Sequence, residues 1–168
     1  MSNATQAKVL LKSLSDNCEL AMQLVDTLLD EQACLIKMNT EELVELSVKK
    51  EGMMFDLEKR FRHYLECAVQ QGFEESPIGL EQWVELLNTI EPTLNRTFGT
   101  LKTTLEQAKR LNTTNGELVA QQLVGIRQRI DILTAAAVEK TSDKEAETYS
   151  AKGGISNKSG PTSRAVIR

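Results

Sequence analysis

The chain has 168 residues, 40% of them apolar but only 4% aromatic, with three prolines and a formal charge of −4. That length suits one domain plus a tail, and an apolar fraction made largely of Leu, Val, Ile, Met and Ala favours helix seams over a sheet core. Residues 139–168 hold six Lys/Arg and four Asp/Glu against fourteen and twenty in the rest, so the body is −6 and the tail +2, which excludes the cationic face that non-specific nucleic-acid binding requires.

Leu10 or Leu11, Leu14, Cys18, Ala21, Val25, Leu28, Gln32 and Leu35 recur at helical spacing and predict a first helix over residues 5–37. Met38, Asn39 and Thr40 form a tight joint. Thr40 is the expected N-cap of a second helix, with Glu41 and Glu42 where the helix dipole favours anions. The second stripe runs through Leu43, Leu46, Lys50, Met53 or Met54, Leu57, Phe61, Tyr64 or Leu65 and Ala68, ending near Gly72. So short a joint makes the two an antiparallel hairpin. Lys50 on this stripe either snorkels outward or marks a groove, and snorkelling is the expectation. Met53 and Met54 are expected to fill core.

Residues 72–79 read as a loop, with Ser76 before Pro77 as a helix start. A short helix through Trp83, Leu86, Leu87 and Ile90 follows, Trp83 being expected to pack inward. Pro92 breaks the chain and is the expected start of a long third helix. Its seam is Leu94, Phe98, Leu101, Leu105, Ala108, Asn112, Asn115, Val119, Gln122, Ile126, Ile130 and Leu133, flanked by Leu111 and Leu118. Two asparagines and Gly116 interrupt that seam, which points to a register device or a groove lining. Beyond residue 139 the apolar spacing stops and a flexible tail of residues 139–168 is expected, with two apolar islands, Tyr149 and Ala165-Val166-Ile167 between Arg164 and Arg168. The architecture expected is therefore all-α, an antiparallel bundle of three long helices (residues 1–138) with a short Pro-bounded helix and a C-terminal tail.

Little here suggests chemistry. His63 is the only histidine, and the residue three before it is Arg60, so the Glu-x-x-His motif of metal-binding bundles is missing. Its neighbours Lys59, Arg60, Arg62 and Glu66 make it part of a solvated face. Gly153-Gly154 is no phosphate loop. Neither metal nor cofactor is expected, and the chain does not read as an enzyme. Cys18, Cys34 and Cys67 are odd in number and form no C-x-x-C pair, as in a reducing compartment. With no long apolar run and no basic-then-apolar leader, a cytoplasmic protein with no membrane insertion is expected. The Asn-x-Thr triplets at Asn95 and Asn112 are then coincidental.

Three segments carry a family resemblance. The first is Leu28-Leu29-Asp30-Glu31-Gln32-Ala33-Cys34-Leu35, followed by Leu43, Leu46, Lys49-Lys50-Glu51, and Leu57 ahead of Arg60 or Arg62. The second is Leu111-Asn112-Thr113-Thr114-Asn115-Gly116-Glu117-Leu118 and the third Tyr149-Ser150-Ala151-Lys152-Gly153. In this order and spacing they resemble the FlgN family of flagellar export chaperones over nearly the whole chain. In the third, Ser150 stands where the family has a glycine and Lys152 where it has an aspartate.

The resemblance implies a chaperone of hook-filament junction (hook-associated) proteins that engages their terminal helices until export. It implies client contacts at Leu111, Asn112, Asn115, Leu118 and Ala165, Val166, Ile167. It also implies docking on the membrane protein of the export gate through Tyr149 with Ala151 and Gly153. The alternative is a structural coiled-coil adaptor that oligomerises through the same seams. Those seams can close within one chain or in a homodimer.

Overall fold

The computed structural model describes the backbone of residues 2–152 and the side chains of residues 2–137. Among the described residues there are helices and no strand: α1 (Asn3–Lys37), α2 (Thr40–Gln70), α3 (Pro77–Asn88) and α4 (Leu94–Lys152). The chain divides into two compact units, Met1–Gln121 and Gln122–Arg168.

Each helix of the first unit starts and stops for a local reason. Ser2 caps α1, its hydroxyl accepting the Thr5 N–H at 3.4 Å. Met38 ends α1 in the left-handed region at φ 57°, unusual for a side chain with a Cβ, and it turns the chain directly into α2. The N-cap of α2 is Asn39, one residue before the Thr40 expected. Asn39 has extended backbone angles, whereas Thr40 is already helical, and the Asn39 side chain donates to Glu42 Oε2 at 2.8 Å. Ser76 caps α3 as expected, accepting the Gly79 N–H at 3.1 Å, with Pro77 in the first helical turn. The long helix begins at Leu94, not Pro92, because residues 91–93 form a turn and the Thr93 carbonyl accepts the Thr97 N–H at 3.0 Å.

Across the hairpin, Thr27 lies by Met53 and Glu31 by Lys50, so α1 and α2 run antiparallel. Cys18 Sγ donates to the Thr97 carbonyl and Asn115 to the Leu28 carbonyl, so α4 runs parallel to α1. Short α3 packs on α1 and α2 and closes one end of the core. The fully buried Leu14, Leu28, Leu80, Val84, Leu87 and Leu94 come from three of these helices, each burial stabilising by about 1.5–3 kcal/mol. Trp83 is 5% exposed and packs inward as expected. Of the two methionines expected as core filling, Met53 packs against the core, but Met54 is exposed because it falls off the stripe.

Helix α4 passes through Gly116 without a break. It also outlasts its apolar stripe. Residues 139–152, read from sequence as the start of the tail, are helical in backbone. A helix ladder needs only backbone partners, and Glu, Lys and Ala in this stretch are good helix formers. Residues 153–168 lie outside the described residues.

Candidate functional site

The stripe of α1 passes through Glu31 rather than Gln32, and this places a carboxylate in an apolar seam. Glu31 is buried at 5% exposure. Its Oε1 accepts from Lys50 Nζ at 2.6 Å and its Oε2 from Asn115 Nδ2 at 2.8 Å. Asn115, itself 2% exposed, also donates to the Leu28 carbonyl at 2.8 Å. Both neighbours of that amide are acceptors, so its NH2 must face them, which leaves Oδ1 buried without a hydrogen-bond partner. One carboxylate thus ties α1, α2 and α4 together. Lys50 does not snorkel free as expected: its ammonium turns inward because a buried carboxylate waits there.

A second polar cluster ties α1 to α2. Arg60 donates to Asn17 Oδ1 at 2.8 Å, Asn17 Nδ2 donates to the Tyr64 hydroxyl, and Ser13 shares a hydrogen bond with that hydroxyl at 2.9 Å. Burial raises the Tyr64 phenol above its ordinary value, against the lowering effects of the Ser13 hydrogen bond and the Arg60 charge. His63 lies on the solvated face as expected, its side chain 69% exposed. The cysteines are free, and burial raises the Cys18 and Cys67 thiols above their usual range, Glu66 adding to the second.

Among the described residues, two of the open apolar surfaces are large. In the first unit, a groove of about 500 Å³ separates α2 from α4. Leu24, Leu28, Leu57, Leu105 and Ala108 line it, the exposed Met54 and Phe55 flank it, and Glu51, Glu58 and Lys109 edge it. In the second unit, Leu123, Ile126, Ile130 and Leu133 of α4 are between 47% and 70% exposed, as are Val124 and Ile132. Asn115 is the last buried position of the α4 seam: Leu94, Phe98, Leu101 and Ala108 before it are buried, and Val119, Ile126, Ile130 and Leu133 after it are exposed.

The residues expected to bind a client are only partly brought together. Leu111 and Leu118 are half-buried, Asn112 is half-buried and lines the groove, and Asn115 faces the core. Asn115 is thus a packing residue, since its amide is consumed by Glu31 and Leu28. Tyr149 and Ala151 lie on the α4 backbone with side chains outside the described residues; Gly153, Ala165, Val166 and Ile167 lie outside them altogether. Sequence reasoning missed Glu31 and Phe55. The spacing Leu28–Glu31–Leu35 was the available signal for the first; Phe55, off every stripe, had none.

An apolar stripe in water is stabilised by a second apolar stripe, so surfaces of this kind suit an all-α protein that binds other helices. No described helix is long and apolar enough to cross a membrane. Comparison narrows the class: the FlgN family (FlgN protein) matches over residues 1–157. The chain belongs to the FlgN family, the flagellar export chaperones. No curated protein and no solved structure matches it.

Proposed function

We propose that the protein holds hook-associated (hook-filament junction) proteins in the cytoplasm, keeps them from associating early and delivers them to the flagellar export apparatus. The observation that carries this reading is the run of exposed apolar residues on α4 from Leu123 to Leu133. Proteins that polymerise through amphipathic terminal helices need those faces covered until export, and a stripe at i, i+3, i+4 spacing offers the complement. Within the first unit, Leu111, Asn112 and Leu118 are further client contacts in this reading. In this reading residues 139–168, helical in backbone as far as Lys152, form the partner segment. Ala165, Val166 and Ile167 close on the client, and Tyr149 with Ala151 and Gly153 meets the membrane protein of the export gate.

The test is co-purification with the C-terminal helices of hook-associated proteins. Ile126→Ser combined with Leu133→Ser should abolish capture while leaving helicity by circular dichroism unchanged, since both side chains are already in water. Capture that survives both substitutions refutes the α4 face as client site. Tyr149→Ala should impair secretion more than capture; equal loss of both counts against the gate role.

A further inference from the structure

The cleft of about 320 Å³ where α1, α2 and α3 meet takes no part in the reading above. The chain is only 4% aromatic, yet its single tryptophan, its single histidine and one of its two tyrosines line this one cleft, as Trp83, His63 and Tyr64. Leu10 adds to the apolar wall. Walls rich in rings hold a flat ring by offset or edge-on packing. Two polar features then set what that ring carries. Gln6 Oε1, in the wall, is sealed from water without a hydrogen-bond partner, a costly state until a ligand answers it. A phenol both donates and accepts, so it satisfies this position whichever way the amide is turned. Two helical turns along α1, about 10 Å away, a second hollow of about 370 Å³ adjoins the cleft, with Ser13, His63 and Tyr64 as shared walls. Lys59 and Arg60 line it against one carboxylate, Asp56, so two cations less one anion leave it at +1 in a chain of −4. Neither cation pairs with a carboxylate among the described residues. Arg60 gives Asn17 Oδ1 one of its five N–H donors, at 2.8 Å. Glu66 reaches His63 Nδ1 at 3.7 Å but belongs to neither wall. Such a hollow favours an anion.

We propose that this cleft binds a small aromatic carboxylate with a hydroxyl at the far end of its ring, an acid of the para-hydroxyphenyl class. The ring lies among Trp83, Tyr64 and Leu10, the hydroxyl meets Gln6, and the carboxylate meets Arg60 and Lys59. Asn17 and Ser13 already engage the Tyr64 hydroxyl, so that residue contributes its ring. Binding is reversible and no covalent bond changes. None of these residues belongs to the α4 stripe that carries the client reading, so the site is a separate input to the protein. A ligand that touches α1, α2 and α3 at once ties them together, and it stabilises the first unit by mass action.

The experiment titrates the full chain with 4-hydroxyphenylacetate and follows the indole N–H resonance of Trp83 by NMR. As the only tryptophan, it gives a single signal from the cleft wall. A saturable shift with a dissociation constant of about 1 mM or tighter is expected. The uncharged 4-hydroxyphenylacetamide should bind about tenfold more weakly, and acetate, which lacks the ring, should leave the signal in place. Lys59→Glu should weaken the acid about tenfold and leave the amide's affinity unchanged. Gln6→Leu should erase the preference for 4-hydroxyphenylacetate over phenylacetate. Lys59 is exposed, and circular dichroism verifies that both variants fold. A wild type without a saturable shift overturns the proposal with no variant needed. So does an acid that binds no better than its amide, or a hydroxyl preference that survives Gln6→Leu. No client is present, so each of these results leaves the export reading standing.

Discussion

Replacing Glu31 by Ala removes the one group shared by three helices. Two charge-assisted hydrogen bonds are lost, each worth about 1.5–3 kcal/mol. The two partners then fare differently. Lys50 is 18% exposed against 6% for Glu31, so its ammonium can swing to water and recover most of its solvation. Asn115 is 2% exposed and keeps only the Leu28 carbonyl, leaving one N–H without a partner in addition to its Oδ1. The truncated methylenes add a small cavity of about 1 kcal/mol. The net loss is about 3 kcal/mol, which in a chain of this size lowers Tm by about 6–12 °C. Urea and thermal unfolding followed by far-UV circular dichroism measure both. Glu31→Gln keeps an acceptor for Asn115 and should cost about half as much. The triple variant Glu31→Leu, Lys50→Met, Asn115→Leu should recover the stability, because an apolar triad avoids desolvating charges. It should also broaden amide NMR resonances, since α4 then has no single register against α1 and α2. A loss below about 1 kcal/mol for Glu31→Ala, or a triple variant as sharply folded as the wild type, refutes the reasoning.

Three further outcomes are expected. Tyr64 holds its proton more tightly folded than unfolded, where a phenol titrates near about 10, so its contribution is present in full below that pH and fades as pH rises through the higher folded value. Tyr64→Phe should flatten this alkaline limb relative to wild type and cost about 1–2 kcal/mol at neutral pH, read by urea titrations at several pH values. Gly116→Ala meets nothing within 4 Å and should stabilise the continuous helix by about 1 kcal/mol, raising Tm by about 2–4 °C; a destabilised variant would show that the helix bends there. Gly79→Ala would put a Cβ 2.1 Å from the Glu74 carbonyl oxygen and should cost about 1–3 kcal/mol by shifting the loop before α3, with wild-type stability counting against that close approach.

What could be read from the chain alone follows from periodicity and caps, which are local. The α1 and α2 stripes, the joint at residues 38–40, the Ser76-Pro77 start and the long final helix each depend on residues a few positions apart. Errors fell where the competing cues were equally local. Asn39 and Thr40 are both good caps, Glu31 and Gln32 both fit a stripe within one residue, and Pro92 suits either a turn or a first helical turn. The family segments were likewise legible, because they lie along the chain.

Pairing between helices is a different matter, because it joins residues far apart in sequence. Lys50 looked like a lysine reaching for water, and Asn115 like a flaw in a seam. Only the packed bundle brings Glu31 between them, where burial turns three ordinary surface residue types into a lock that none could form alone. The same holds for the α4 seam: its spacing is unbroken from Leu94 to Leu133, yet Asn115 is its last buried position, and Val119, Ile126, Ile130 and Leu133 are exposed. Sequence by itself determined that the chain is a set of amphipathic helices of the FlgN kind, since helix formation and capping are decided over a few residues. Tertiary structure decided which apolar positions are used up inside the bundle and which remain in water, since burial is a property of neighbours.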